Sequence, residues 1–120
     1  MAKEEHAVEH ERREHHRYSV DIQVEMTADF GKTTGRMIGT SLEGLRIKTT
    51  SRMQPATDVV ITFSTGEKVL MLAGIVWVLD ESQRGLPLYS TGLKINSVSV
   101  NGEELKGMAE RTAFMQDLLI

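Results

Sequence analysis

The chain contains no cysteine, which removes disulfide staples and thiolate metal sites and leaves the redox compartment undetermined. Aromatic residues make up only 5%, too few for the exposed stacking platforms that an OB-like barrel uses to hold single-stranded nucleic acid. Positive charge is not in surplus either. Fourteen Lys and Arg against 17 Asp and Glu give a formal net charge of -3, whereas affinity for a polynucleotide comes from many basic contacts to phosphate. No apolar run approaches the roughly 20 residues of a helical membrane span, and the longest, Val69 to Leu79, is interrupted by Gly74. No membrane insertion is expected. The opening Met-Ala-Lys-Glu-Glu-His lacks the basic and apolar regions of a secretory signal, so a cytoplasmic protein is the default expectation. Also missing are a nucleophilic triad, an acid/base carboxylate pair, a Walker loop and a metal cage, and no enzyme is expected.

What is present begins with 120 residues, 40% of them hydrophobic and 26% charged. One domain can bury an adequate core at this length without a staple. Residues 1–11 are polar and acidic and are expected to form a mobile or weakly helical arm, followed by a single domain over 12–120. From Tyr18 the pattern becomes period two: Val20, Ile22, Val24 and Met26 alternate with Ser19, Asp21, Gln23 and Glu25, the signature of a half-buried strand. Further strands are expected over Thr33 to Ile38, Leu45 to Thr49, Val59 to Phe63, Val69 to Leu79 with a bend at Gly74, and Leu88 to Ile95. Six short antiparallel strands favour a small barrel, about 17–97, because closure removes the exposed edges. Leu105, Met108, Ala109, Thr112, Met115, Gln116 and Leu119 then recur at three and four residues, and Asn101 with Glu104 resembles a capping box. The spacing predicts a C-terminal helix over about 102–119. Trp77, within an apolar strand, is expected in the core, with a ligand-stacking role as the lesser alternative, and the methionines are expected to fill gaps. The apolar end Leu118-Leu119-Ile120 is expected to pack on the barrel, with a homodimer interface as the alternative.

Two motifs carry the chemistry. Arg12-Arg13-Glu14-His15-His16-Arg17 holds three arginines against one glutamate, a local +2 suited to a small anion. Arg13 and Arg17 fall on one side of the backbone whether the segment is extended or helical. A guanidinium is planar, permanently charged and forked, so it can grip a phosphate with two bonds and also stack on or pair with a guanine edge. Gly39-Thr40-Ser41-Leu42-Glu43-Gly44 is the second motif: Ser41 offers a hydroxyl that donates or accepts, and Gly44 permits close approach of backbone to a ligand. Taken singly, Arg-x-x-x-Arg reads as a solvated basic stretch and Ser-x-x-Gly as an ordinary turn. His6, His10, His15 and His16 lack the defined spacing of a metal site and read as surface histidines.

In this order, flanking the first strands, the motifs resemble those of the PilZ domain family, bacterial receptors for cyclic di-GMP, whose pattern is Arg-x-x-x-Arg followed by Asp/Asn-x-Ser-x-x-Gly. The resemblance extends to Gly44-Leu45-Arg46-Ile47, Ala73-Gly74-Ile75-Val76-Trp77-Val78, Thr91-Gly92-Leu93-Lys94-Ile95 and the terminal helix. It implies a mainly β, six-stranded antiparallel PilZ-type barrel with a C-terminal α-helix, whose flexible N-terminal arginine segment folds over a cyclic dinucleotide on the barrel surface. Carried over, Arg13 and Arg17 grip phosphate and guanine while Ser41 and Gly44 line the turn beneath. Arg12 stands where an arginine accompanies binding of a stacked ligand dimer. Gly39 departs from the pattern, since the family's Asp or Asn offers an oxygen to a guanine edge. What the resemblance implies is a second-messenger adaptor that passes cyclic di-GMP occupancy to an effector protein. The alternative is a PilZ-like interaction module that has lost nucleotide binding.

Overall fold

The computed structural model describes residues 18–41 and 43–118. Six antiparallel strands close a barrel: β1 (Tyr18–Ala28), β2 (Gly31–Thr40), β3 (Gly44–Thr49), β4 (Asp58–Ser64), β5 (Lys68–Asp80) and β6 (Tyr89–Val100). Each hydrogen-bonds to its neighbour in the order β3-β2-β1-β4-β5-β6, and β6 returns to β3 through the pairs Gly44↔Lys94 to Thr49↔Tyr89. The barrel with its C-terminal helix is the fold that the sequence pattern implies. Closure is what allows these short strands to coexist without an exposed edge.

The period-two alternation places one set of side chains inside. Val24 and Met26 of β1, Leu45 and Ile47 of β3, Val59, Ile61 and Phe63 of β4, and Val69 and Met71 of β5 are all buried. Met26, Met37, Met53, Met71 and Met115 share this interior, where an unbranched, polarizable side chain accommodates the irregular space of a tapering barrel. Each such side chain contributes roughly 1.5–3 kcal/mol by leaving water. Around Gly74, the β5–β6 pairing shifts register between Leu72 and Ala73 and again between Ile75 and Trp77. Two register irregularities, the first with its extra residue on β6 and the second on β5, thus flank the glycine at which the sequence reading places a bend.

The carboxyl-terminal region departs from the sequence reading. Strand β6 continues to Val100, and Asn101 and Gly102 turn the chain with φ of 52° and 87° into a two-residue strand β7 (Glu103–Glu104) paired with the end of β6. Asn-Gly is the pair that a tight hairpin requires, because both central residues sit at positive φ. Asn101 Oδ1 accepts from the Lys68 N–H at 3.0 Å, so this side chain serves the hairpin and does not cap a helix. Helix α1 (Met108–Asp117) begins later, after Gly107, with no side-chain cap. It buries Met115 and Leu118 against the barrel while Ala109 and Gln116 stay exposed.

Candidate ligand cleft

The turn between β2 and β3 is tied down from several directions. The Ser41 N–H donates to the Gly44 carbonyl at 2.9 Å, and Ser41 Oγ accepts from the Gly44 N–H at 3.2 Å and the Glu43 N–H at 3.4 Å. This is a serine side chain substituting for backbone in a turn. Among the described residues Ser41 Oγ only accepts, so its hydroxyl proton can still be donated. From the β6 side, the Ile95 N–H donates to the Glu43 carbonyl at 2.6 Å. From below, the buried Thr40 presents its hydroxyl to Met115 Sδ at 3.5 Å and to the Gly44 carbonyl at 3.4 Å, which joins the turn to α1. A Cβ on Gly44 would stand 3.2 Å from the Leu93 carbonyl oxygen. The glycine thus permits β3 to lie close against β6 at the mouth of the turn.

Beside the turn, an open cleft of about 420 Å³ crosses the outer face of the barrel. Its geometry follows from the register. Ser19 of β1 pairs with Gly39 of β2, Gly39 with Arg46 of β3, Arg46 with Gly92 of β6, and Gly92 with Trp77 of β5. These five residues form one cross-strand row, and all five line the cleft. Neighbouring strands lie roughly 4.8 Å apart, so Arg46 has no side chain beside it at Gly39, while at Gly92 the Trp77 ring takes the vacant space. Ser41 and Gly44 line the same cleft. Of the residues proposed from sequence, Gly39, Ser41 and Gly44 are therefore brought together. Arg12, Arg13 and Arg17 lie outside the described residues, as do the four histidines.

Two further residues of the cleft, Arg46 and Trp77, lie outside the two motifs. Trp77 does not pack in the core as expected: it is 42% exposed and its neighbour Val76 is 59% exposed. The register shift between Ile75 and Trp77 inserts one extra residue into β5, and a bulge of this kind reverses the alternation downstream of it. The outward-turned indole lies against Gly92, at a place that a Cβ on residue 92 would occupy. An isolated glycine inside a strand pattern is the sequence signal for such a close approach.

The charge of this face is set by Arg46, Lys48 and Lys94. Lys48 Nζ stands 3.0 Å from Glu81 Oε1, which also accepts from Ser90 Oγ at 2.6 Å. The Ser90 hydrogen bond first, then Lys48, holds the Glu81 carboxyl below the usual glutamate range. Lys48 is thus neutralised locally. Arg46 is different: among the described residues no carboxylate stands within ion-pair distance of its guanidinium.

Comparison with known proteins gives the arrangement a lineage. No curated protein sequence matches the chain. Among solved structures, the Bacillus subtilis inhibitor of motility MotI/DgrA superposes with a TM-score of 0.63 at 10% identity, over 89% of this chain and 49% of that one; the chain thus spans about half of MotI/DgrA. The PilZ domain of CeSA from a cellulose-synthesizing bacterium superposes with a TM-score of 0.55 at 18% identity, over 86% of this chain and 94% of that domain. At these identities the likeness is one of fold. The family model for the PilZ domain matches residues 11–109, a span that includes both motifs and every strand of the barrel, and the chain belongs to the PilZ domain family.

Proposed function

We propose that this protein is a receptor for cyclic di-GMP and that the nucleotide sits in the cleft beside the Ser41–Gly44 turn. The observation that carries this reading is the register at the start of β1. Tyr18 pairs with Thr40 and Ser19 with Gly39, and Arg17 immediately precedes Tyr18 in the chain. One peptide unit spans only about 3.8 Å, so the arginine motif enters the barrel one residue from the Gly39–Gly44 motif. The described chain thus begins beside the Gly39–Gly44 motif, which supports the reading that the arginine motif and the serine-glycine turn serve one ligand.

The mechanism is a switch in the N-terminal segment. Without ligand, like charges on Arg12, Arg13 and Arg17 repel one another. The phosphodiesters neutralise them and draw the segment onto the barrel, so the ligand contacts one state and not the other. Arg13 and Arg17 grip phosphate and guanine, Ser41 donates its free hydroxyl proton, and Gly44 lets the ligand approach the backbone. PilZ domains are receptor and adaptor modules, and no catalysis is assigned to this one. Output passes through an effector protein, in a bacterial and cytoplasmic setting, without nucleic acid polymer or membrane insertion. A homodimer is compatible with this scheme.

Gly39 favours a second reading, a PilZ-like interaction module that no longer binds the nucleotide. Losing one neutral acceptor costs about 0.5–1.5 kcal/mol and a charged one about 1.5–3, at most about a hundredfold in affinity. That weakens binding without abolishing it, so the receptor reading stands ahead. Titration calorimetry with cyclic di-GMP separates the two: saturable heat supports the receptor, and no heat at tens of micromolar ligand supports the interaction module.

A further inference from the structure

One end of the barrel carries apolar side chains that the core does not use. Of the seven large hydrophobic residues left exposed among the described ones, Val76, Trp77, Leu79 and Leu86 fall between positions 76 and 86, on β5 and the hairpin that follows it. Leu86, at 72%, is the most exposed of all. Its backbone is held in place: Leu86 and Gln83 exchange hydrogen bonds in both directions, at 2.8 and 3.2 Å, and the stem beneath is fastened by the Glu81 N–H to the Leu88 carbonyl at 2.8 Å and by the Leu88 N–H to Ser82 Oγ at 3.0 Å. The leucine is a fixed projection. Between Gln83 and Leu86 stand only Arg84 and Gly85, with φ of 51° and 78°, a two-residue turn that requires positive φ at both positions. Where β6 turns into β7, the chain fills the same two places with Asn101 and Gly102, at 52° and 87°. Asparagine tolerates that backbone, whereas arginine adopts it at a local cost. A strained position thus carries a long cation at the tip, two residues from the exposed leucine.

We infer that this hairpin docks the protein on an anionic lipid surface, with Leu86 and Leu79 reaching the acyl boundary and Arg84 the headgroup phosphates. The distribution of charge favours that orientation. From the Arg46 row to the hairpin tip, Arg46, Lys48, Arg52 and Arg84 stand against Asp80 and Glu81, a net +2, whereas at the other end of the β5–β6 ribbon Glu67, Glu103 and Glu104 stand against Lys68, a net -2. Lys32 and Arg36 are balanced by Glu25 and Asp21, and Lys48 is balanced by Glu81. Arg52 lies 6.0 Å over the Tyr89 ring and close enough to Asp80 to act on its carboxylate. Arg84 and Arg46 therefore carry the surplus, since among the described residues neither has a carboxylate within ion-pair distance. An acidic leaflet attracts this end and repels the other. Shape points the same way, because Leu86 projects from a two-residue tip, and acyl chains close around such a side chain without the complementary pocket that a protein partner must supply. The contact is peripheral. Among the described residues no helix is long and apolar enough to cross a membrane, and a few leucines and arginines give reversible binding, comparable to that of a single lipid chain. This inference is independent of the nucleotide reading, and neither falls with the other.

The full chain is sedimented with vesicles of phosphatidylcholine alone and with vesicles of equal parts phosphatidylcholine and phosphatidylglycerol, for the wild type and for Leu86→Ser, Arg84→Asn and Glu104→Gln. The expected result is binding to the anionic vesicles and not to the neutral ones, weakening as salt is added. Leu86→Ser should lower the partition coefficient by roughly tenfold or more. Arg84→Asn should lower it by roughly fivefold, while its urea midpoint rises because asparagine relieves the turn. That opposition separates a lost lipid contact from a damaged fold. Glu104→Gln, at the far end of the ribbon and beyond the screening length, should leave binding unchanged. No co-sedimentation at roughly 1 mM anionic lipid, about tenfold above what half-saturates a single myristoyl anchor, overturns the inference and leaves a protein as the occupant of the hairpin. Binding that both Leu86→Ser and Arg84→Asn leave intact overturns it as well.

Discussion

The indole of Trp77 covers Gly92 so closely that the space a methyl group would need at residue 92 is already filled by ring atoms. The two residues are paired in the β5–β6 ladder, and the contact holds an aromatic side chain on the outside of the barrel next to Arg46. Gly92→Ala is expected to drive the indole off the strand, since a backbone-borne methyl yields less readily than a side chain at the surface. Red-shifted tryptophan emission and an unfolding free energy lower by about 1 kcal/mol or more in urea titration are the expected outcome. Unchanged emission would mean that the ring does not occupy this place.

Thr91 is fully buried between Ile47 and Val78 in register, and its hydroxyl finds no partner among the described residues. A buried hydroxyl without a hydrogen bond costs about 1–3 kcal/mol. Thr91→Val, which keeps the branched shape, is expected to raise stability by about 1 kcal/mol in denaturant unfolding. A loss would show that the hydroxyl is satisfied.

Glu81 gives the base of the β5–β6 hairpin a pH dependence. Its carboxylate accepts from Ser90 and pairs with Lys48, and its folded pKa lies below the ordinary value, chiefly through Ser90. A group with a depressed folded pKa adds stability above its unfolded pKa, and that stability is lost as pH falls through the folded one. The wild type should therefore lose stability more steeply than Glu81→Gln on acidification across the carboxylate range. Parallel pH profiles of the two urea midpoints would contradict the assignment.

Gly39, which stands in place of the Asp or Asn of the motif that the sequence resembles, lines the cleft. Gly39→Asn is expected to tighten cyclic di-GMP binding by roughly two- to tenfold, the worth of one neutral hydrogen bond. Calorimetry reads this directly, and unchanged affinity would refute the account of the missing acceptor.

Much of the fold is legible in the sequence because alternation at period two is a direct consequence of a pleated strand with one wet face. Val24 and Met26, Leu45 and Ile47, and Val59, Ile61 and Phe63 all point inward as their spacing requires. The reading fails where a local device overrides periodicity. Asn101 followed by Gly102 was open to interpretation as a helix start, yet the pair forms a hairpin that extends the sheet into β7, and α1 starts only at Met108. Trp77 belongs to an apolar run whose alternation predicts burial, and one inserted residue reverses its direction. In the cleft, Gly39, Ser41 and Gly44 are legible as motif positions, because a turn's chemistry is local. Arg46 is not, since its significance comes from glycines on two other strands, Gly39 and Gly92, which only register aligns with it.

The central claim is that the serine-glycine turn and the N-terminal guanidiniums meet around one cyclic dinucleotide. Backbone amide chemical shifts of the full chain, followed as cyclic di-GMP is added, test it most directly. The account predicts saturable shifts concentrated at Gly39, Ser41, Glu43, Gly44 and Arg46 and at the Trp77 indole N–H, abolished in Arg13→Ala. Shifts confined to another face of the barrel, or an undiminished response in Arg13→Ala, would contradict it.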